Sequence, residues 1–200
     1  IRGLRKKTDI LISIDTTKAD VAHAALEEGA DIINDISALR FDPQMTALTA
    51  RKNVPIILMH MKGTPKNMQF APYYENVFTE IRDFFIERIS MATAQGINAQ
   101  NIILDPGIGF GKRLEDNVEI IDRVGDLHTL GYPVLVGHSR KSFIGAITGQ
   151  YSSEERTGGG LAVTGRCLDA GVQILRVHDV RETADYIRVW KAINGKGGSF

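Results

Sequence analysis

Three short clusters hold most of the residues able to do chemistry. The densest is Asp105-Pro106-Gly107-Ile108-Gly109-Phe110-Gly111-Lys112. Its glycines permit positive φ and a close approach of backbone to ligand. The spacing is not that of a dinucleotide fingerprint, which needs G-x-G-x-x-G, and Arg113 stands where a P-loop carries Ser or Thr after its lysine. The residue chemistry favours a ligand-facing loop over a plain turn. The second cluster is Gly137-His138-Ser139-Arg140-Lys141-Ser142, two cations and two hydroxyls at the expected start of a helix. Free N–H groups there attract anions, whereas cations in the same turn oppose the helix dipole. An anionic ligand accounts for them, and so does a solvated basic pair; the residues alone leave both open. In the third, Arg176-Val177-His178-Asp179, strand alternation puts Arg176 and His178 on one face. Taken alone the pair reads as surface; beside the other strand ends it reads as an anion site.

Four further acceptors, Asp15, Asn34, Asp35 and Asp105, lie on separate segments. Brought together, they would suit a ligand edge rich in N–H donors. A helix N-cap is the ordinary alternative for any one of them, and Asp15 stands just ahead of an expected helix start at Thr17. His60, His138 and His178 fall on three different loops without an H-E-x-x-H or a close pair, which argues against a transition-metal site. Met59, Met61 and Met68 read as packing, and Cys167 as a helix residue with no base near it in sequence.

The elements that must position these groups alternate along the chain. Apolar runs at Ile10–Ile14, Ile32–Ile33, Pro55–Met59, Asn101–Leu104, Pro133–Val136 and Val172–Val177 read as strands ending in polar residues. Helical patterns follow them. One starts at a capping-box-like Thr17/Asp20 and stops at Gly29. Others run over Pro43–Arg51, from Val77 through Met91, and from Val118 to Leu130. The last three cover Ser139–Ile147, Glu154–Ala170 (loosened at Gly158-Gly159-Gly160) and Thr183–Ile193, with a frayed tail at Gly195–Phe200. The polar strand ends at Asp15, Asp35, His60, Asp105, Lys141 and His178 are far enough apart for a crossover helix each. Such an array makes a (β/α) barrel or a doubly wound sheet. Polar residues at nearly every strand end favour the barrel, where all those ends meet at one mouth. Six strands are counted, two short of a closed eight-stranded barrel.

Composition is that of an ordinary globular domain, and the whole of residues 1–200 reads as one. The 200 residues carry 24 Lys plus Arg against 24 Asp plus Glu, with 43% hydrophobic residues, which excludes a disordered chain. A balanced charge removes the electrostatic case for nucleic acid or a polybasic membrane contact, so neither is expected as a partner. No apolar run nears the ~18–20 residues of a membrane span. The single cysteine excludes an internal disulfide, and cytoplasm is the expected compartment.

Together the three clusters resemble dihydropteroate synthase. Ser13-Ile-Asp-Thr16, Ile32-Ile-Asn-Asp35, Leu58-Met-His-Met-Lys-Gly63, Pro65 and Met68-Gln69 fit the same family, in the same order. The resemblance runs from Ile10 to about Ile193. It implies an α/β fold, the (β/α)8 TIM barrel, with this chain covering about strands 3 to 8. It also implies a folate-biosynthesis transferase and sulfonamide target, joining 6-hydroxymethyl-7,8-dihydropterin diphosphate to p-aminobenzoate with loss of pyrophosphate. By resemblance Asp15, Asn34, Asp105 and Lys141 hold the pterin, and Phe110 lies near the p-aminobenzoate ring. Ser142 helps bind that substrate's carboxylate, while Arg176 and His178 bind the diphosphate. Lys141, Arg176 and His178 are the catalytic set. Mg2+ as cofactor and a homodimer are implied in the same way.

The front of the chain departs from the family. The Asn-containing loop of the first strand, which carries a metal ligand, and the Gly-Glu-Ser-Thr-Arg-like loop of the second have no counterpart. An N-terminally incomplete barrel is therefore expected, with no metal ligand in this chain. A pterin-dependent methyltransferase and a non-catalytic pterin-binding module are the alternatives. Lys141 with Ser142 and the Arg176/His178 pair favour the synthase, whose diphosphate and aryl carboxylate need cationic and N–H donors.

Overall fold

The fold, a computed structural model describing residues 1–195, is built from repeated βα units. A short helix α1 (Arg2–Arg5) precedes strand β1 (Ser13–Asp15) and helix α2 (Ala19–Glu27). Then come β2 (Ile32–Asp35), α3 (Pro43–Lys52), β3 (Ile56–Met59) and α4 (Val77–Ala94). The second half holds β4 (Ile102–Asp105), α5 (Leu114–Asp122), β5 (Leu135–Val136), α6 (Ser142–Thr148), α7 (Thr157–Asp169), β6 (Ile174–Leu175) and α8 (Val180–Ile193).

All strand pairs are parallel. β1 through β4 pair in chain order, β5 pairs β6, and a single bridge from Leu104 to Val134 joins the two sets. A doubly wound sheet reverses its order at a switch point; here the order runs straight through, as in a barrel. The chain is thus six strands of a (β/α)8 barrel. Among the described residues β1 and β6 share no ladder. What crosses between them is a side-chain ion pair, Arg176 Nη2 to Asp15 Oδ2 at 2.5 Å.

Alternation sorts each strand into two faces. Ile33, Ile56, Leu58, Ile102, Leu104, Val134 and Val136 face the helices, in one large core with Phe85, Ile120 and Cys167. Ile57, Ile103 and Leu135, with Ile32 and Ile174, form a small cluster on the inner face. Two residues further along, the inner positions become Asp15, Asn34, Met59, Asp105, Gly137 and Arg176.

Several expected elements come out differently. Ile10 and Leu11 lie outside β1 and are largely exposed, since no part of the described chain covers them. The start of α2 is not capped by Thr17 or Asp20. Asp42, the N-cap of α3, accepts from Gln44 N at 2.9 Å and reaches across to Ala19 N at 2.7 Å. The helix expected over Val118–Leu130 is α5 followed by a 3-10 segment, Val124–Leu130. α6 begins at Ser142 rather than Ser139, so Arg140 and Lys141 precede it. Gly158–Gly160 do not loosen α7. A Cβ on Gly159 would meet Ile144 Cγ2 at 2.4 Å, so the missing side chain lets α6 pack close. The tail expected past Gly195 lies outside the described residues. Among the described residues no helix is long and apolar enough to cross a membrane.

Candidate active site

The polar inner positions open onto one cavity of about 430 Å³ at the C-terminal ends of the strands. That is the size of a small-molecule site. Asp15, Asn34, Met59, Asp105, Phe110, Lys141 and Arg176 all line it. Six of the eight site residues expected from the sequence therefore line one cavity: Asp15, Asn34, Asp105, Phe110, Lys141 and Arg176. Ser142 and His178 stand outside that lining, and both are exposed. His178 is held at the rim, its backbone N–H donating to Ser139 Oγ at 3.2 Å and its Nδ1 lying 3.1 Å from the same oxygen. Asp35 does not join the other acceptors. It is one residue out of phase with Asn34, faces the helices, and caps the following turn through Ser37 N, Ser37 Oγ and Leu39 N.

The floor of the cavity is Asp105. It is 5% exposed, and its Oδ1 accepts from Gly107 N at 2.8 Å. Burial pushes its carboxyl up to about 6, against the pull of that N–H and the positive charges of Lys112, Lys141 and Arg176. Lys141 approaches from the β5 end. Its Nζ sits 4.2 Å from the Phe110 ring centroid, and burial lowers its pKa while Asp105 opposes the shift. Among the described residues it forms no ion pair. Asn34 donates its Nδ2 to Asp15, while its buried Oδ1 has no hydrogen-bond partner among the described residues. An unsatisfied buried acceptor is costly to the free protein and available to a ligand N–H.

The glycine-rich loop is fixed by a residue that sequence reasoning did not place. Lys112 is 5% exposed, with Nζ 3.0 Å from His60 Nδ1 and donating to His60 O (3.3 Å) and Phe110 O (3.1 Å). Burial lowers its ammonium to about 7 and drives the His60 imidazolium well below its ordinary range. A neutral His60 with a free Nδ1 lone pair is the tautomer this contact requires. A Cβ on Gly107 would fall 2.0 Å from His60 O, so only glycine lets the two loops touch. Gln69 adds a tether, Nε2 to Gly109 O at 2.8 Å. His138 takes no part in the cavity; its Nε2 lies 3.0 Å from both Gly160 O and Thr164 Oγ1 inside the helix layer.

Among the described residues no group of three or more His, Cys, Asp or Glu side chains could hold a metal ion.

The fold is a parallel βα barrel whose strand ends bring carboxylates, an amide and an unpaired ammonium to one cavity. The family model described as "Pterin binding enzyme" matches residues 1–178, and the chain belongs to that family. Within it, similar proteins include dihydropteroate synthases. The Synechocystis enzyme is 45% identical over 193 residues, which is 96% of this chain and 67% of the relative. The Yersinia pestis enzyme, solved with a sulfonamide drug complex, superposes with a TM-score of 0.93 at 38% identity, covering 98% of this chain and 71% of that one. The Xanthomonas albilineans enzyme in complex with 7,8-dihydropteroate gives 0.90 at 40% identity, covering 96% and 72%.

Proposed function

We infer that the chain carries out the dihydropteroate synthase reaction of folate biosynthesis, joining a dihydropterin methyl diphosphate to p-aminobenzoate. The observation that carries this reading is the gathering of Asp15, Asn34, Asp105, Lys141 and Arg176 on one cavity. The amino and ring N–H groups of a pterin suit the Asp105 carboxylate and the unpaired Asn34 Oδ1, and its carbonyl suits the Lys141 ammonium.

In the reaction the methylene C–O bond breaks, its electron pair leaves with pyrophosphate, and positive charge develops on the carbon. The aniline nitrogen then forms the new C–N bond and gives up a proton. This chemistry needs alignment, a stabilised leaving group and exclusion of water. Asp105 and Asn34 fix the pterin plane. Arg176 at the rim faces the departing anion, and Phe110 flanks the aryl ring. His178 and Ser142, just outside the cavity, are assigned to the diphosphate and the aryl carboxylate. Magnesium, a homodimeric assembly and a cytoplasmic setting belong to the same reading.

The test is a calorimetric titration with the pterin diphosphate, followed by a pyrophosphate-release assay on adding p-aminobenzoate. Binding with release is expected. Tight binding without release would reduce the chain to a binding module, and methyl transfer from a folate would replace the reading with a methyltransferase.

A further inference from the structure

Arg140 is an arginine in a backbone conformation that L residues avoid. Its φ is +61°, in the left-handed region that is sterically unfavourable for a non-glycine residue. It stands between Ser139, which holds His178, and Lys141, which lines the cavity. Three contacts account for its conformation. The guanidinium grips Asp179 with two nitrogens, Nη2 to Oδ1 at 2.5 Å and Nε to Oδ2 at 3.3 Å. Thr157 Oγ1 donates to the same Oδ2 at 3.3 Å. The Arg140 carbonyl accepts from Arg156 Nη1 at 2.9 Å, and Arg156 is itself anchored on Gln150 O and Tyr151 O. A Cβ on Gly145 would meet Arg156 Nε at 2.6 Å, so a glycine there makes room for the anchor.

Asp179 directly follows His178, as Arg140 directly precedes Lys141. The ion pair therefore ties the β5 loop to the β6 loop, one residue from each assigned functional group. It also supplies the anion that the Arg140 cation needs, so a substrate anion is not required to explain it.

We propose that Arg140 and Asp179 are a positioning pair. Their bidentate contact holds a left-handed turn that aims Lys141 into the cavity and keeps His178 beside Ser139, without either partner touching substrate. The proposal rests on the functional reading above for its consequence in turnover, and on geometry alone for its consequence at Lys141.

The test therefore has two readouts on the wild-type chain and on Arg140→Gly, Arg140→Lys, Asp179→Asn and the Arg140→Gly/Asp179→Asn double variant. Glycine accepts positive φ, so the first variant removes the clamp without adding backbone strain. The first readout is the rate at which an amine-reactive reagent labels Lys141, followed by peptide mass spectrometry. A several-fold rise is expected in Arg140→Gly and Asp179→Asn, no further rise in the double variant, and partial recovery in Arg140→Lys. The second is the split between kcat and KM. About a tenfold fall in kcat is expected, with KM for p-aminobenzoate changing less than threefold. Unchanged Lys141 labelling overturns the proposal even if the chain turns out to catalyse nothing. Additive effects in the double variant, or a loss confined to diphosphate affinity, would make Arg140 a direct substrate ligand and overturn it as well. Changed labelling in a chain that binds no pterin would keep the clamp and discard the functional reading instead.

Discussion

Asp105 and Asp15 are two carboxylates on the wall of one cavity, and their surroundings differ. Asp105 is enclosed at the floor, with a backbone N–H as its hydrogen-bond partner and no carboxylate–cation pair among the described residues. Asp15 stands at the open side with half its side chain exposed, already bonded to Asn34 and paired with Arg176 across the gap between β1 and β6. A ligand N–H meeting Asp105 relieves a buried charge in a low-dielectric site. One meeting Asp15 must compete with a guanidinium and with water, where an ion pair is worth about 0–1 kcal/mol. The same residue type thus supplies grip at the floor and only orientation at the rim.

The largest effect is expected at Lys141, the floor's unpaired cation. Lys141→Ala should depress turnover by roughly 100- to 1,000-fold, the range seen on removing one charge-stabilising donor from an active site. Ordinary steady-state rates in that variant would remove it from the chemistry. Next comes Asp105→Asn, which should weaken pterin diphosphate binding about 10- to 100-fold, as expected for a buried charge-assisted hydrogen bond. The same variant should melt higher at pH 8, because the amide still accepts from Gly107 without the cost of a buried charge. With the carboxyl raised from 3.8 to about 6, that cost is on the order of 2–3 kcal/mol. The sign follows from linkage. The unfolded chain ionises Asp105 at lower pH than the folded one, so stability is lost as pH rises from about 4 through 6, and is then level. A thermal melt of Asp105→Asn below that of wild type at pH 8 would show the floor is not as dry as described.

Binding has the opposite pH sense. Pterin affinity should be flat above about pH 7 and fall as pH drops through 6, up to tenfold per unit, in wild type but not in Asp105→Asn. Lys112, lowered to about 7, titrates nearby, so the difference between the two chains is the quantity to measure. The smallest effect is expected at Asp15. Asp15→Asn should cost no more than about fivefold in affinity and lose its effect in high salt, since it acts through an exposed pair. A loss as large as that of Asp105→Asn would erase the contrast between floor and rim.

The strand ends were more legible in the sequence than the loops, for a physical reason. Strand alternation with polar residues at the C-terminal ends locates Asp15, Asn34, Asp105 and Arg176 on an inner face without knowledge of any contact. The same alternation separates Asn34 from Asp35, although the two looked alike as acceptors. What sequence could not show depends on which loops touch. Lys112 is buried only because His60, 52 residues earlier, brings two acceptors to it. Arg140 is satisfied only because Asp179 arrives from the next strand, so the sequence left an anionic ligand and a solvated pair both open for its cation. Apolar runs mislead in the other direction. Ile10 and Leu11 match a strand by type, but nothing in the described chain covers them. The glycines of α7 read as weakness in a helix, whereas Gly159 is where Ile144 packs.

The central claim is that one hollow grips one pterin. The direct measurement is calorimetric titration of the pterin diphosphate at pH 8 into the wild-type chain and into a chain carrying Asn34→Ala and Asp105→Asn together, with folding of both checked by thermal melting. One saturable site per chain is expected in the first and none in the second. Equal affinity in the two folded chains would contradict the account.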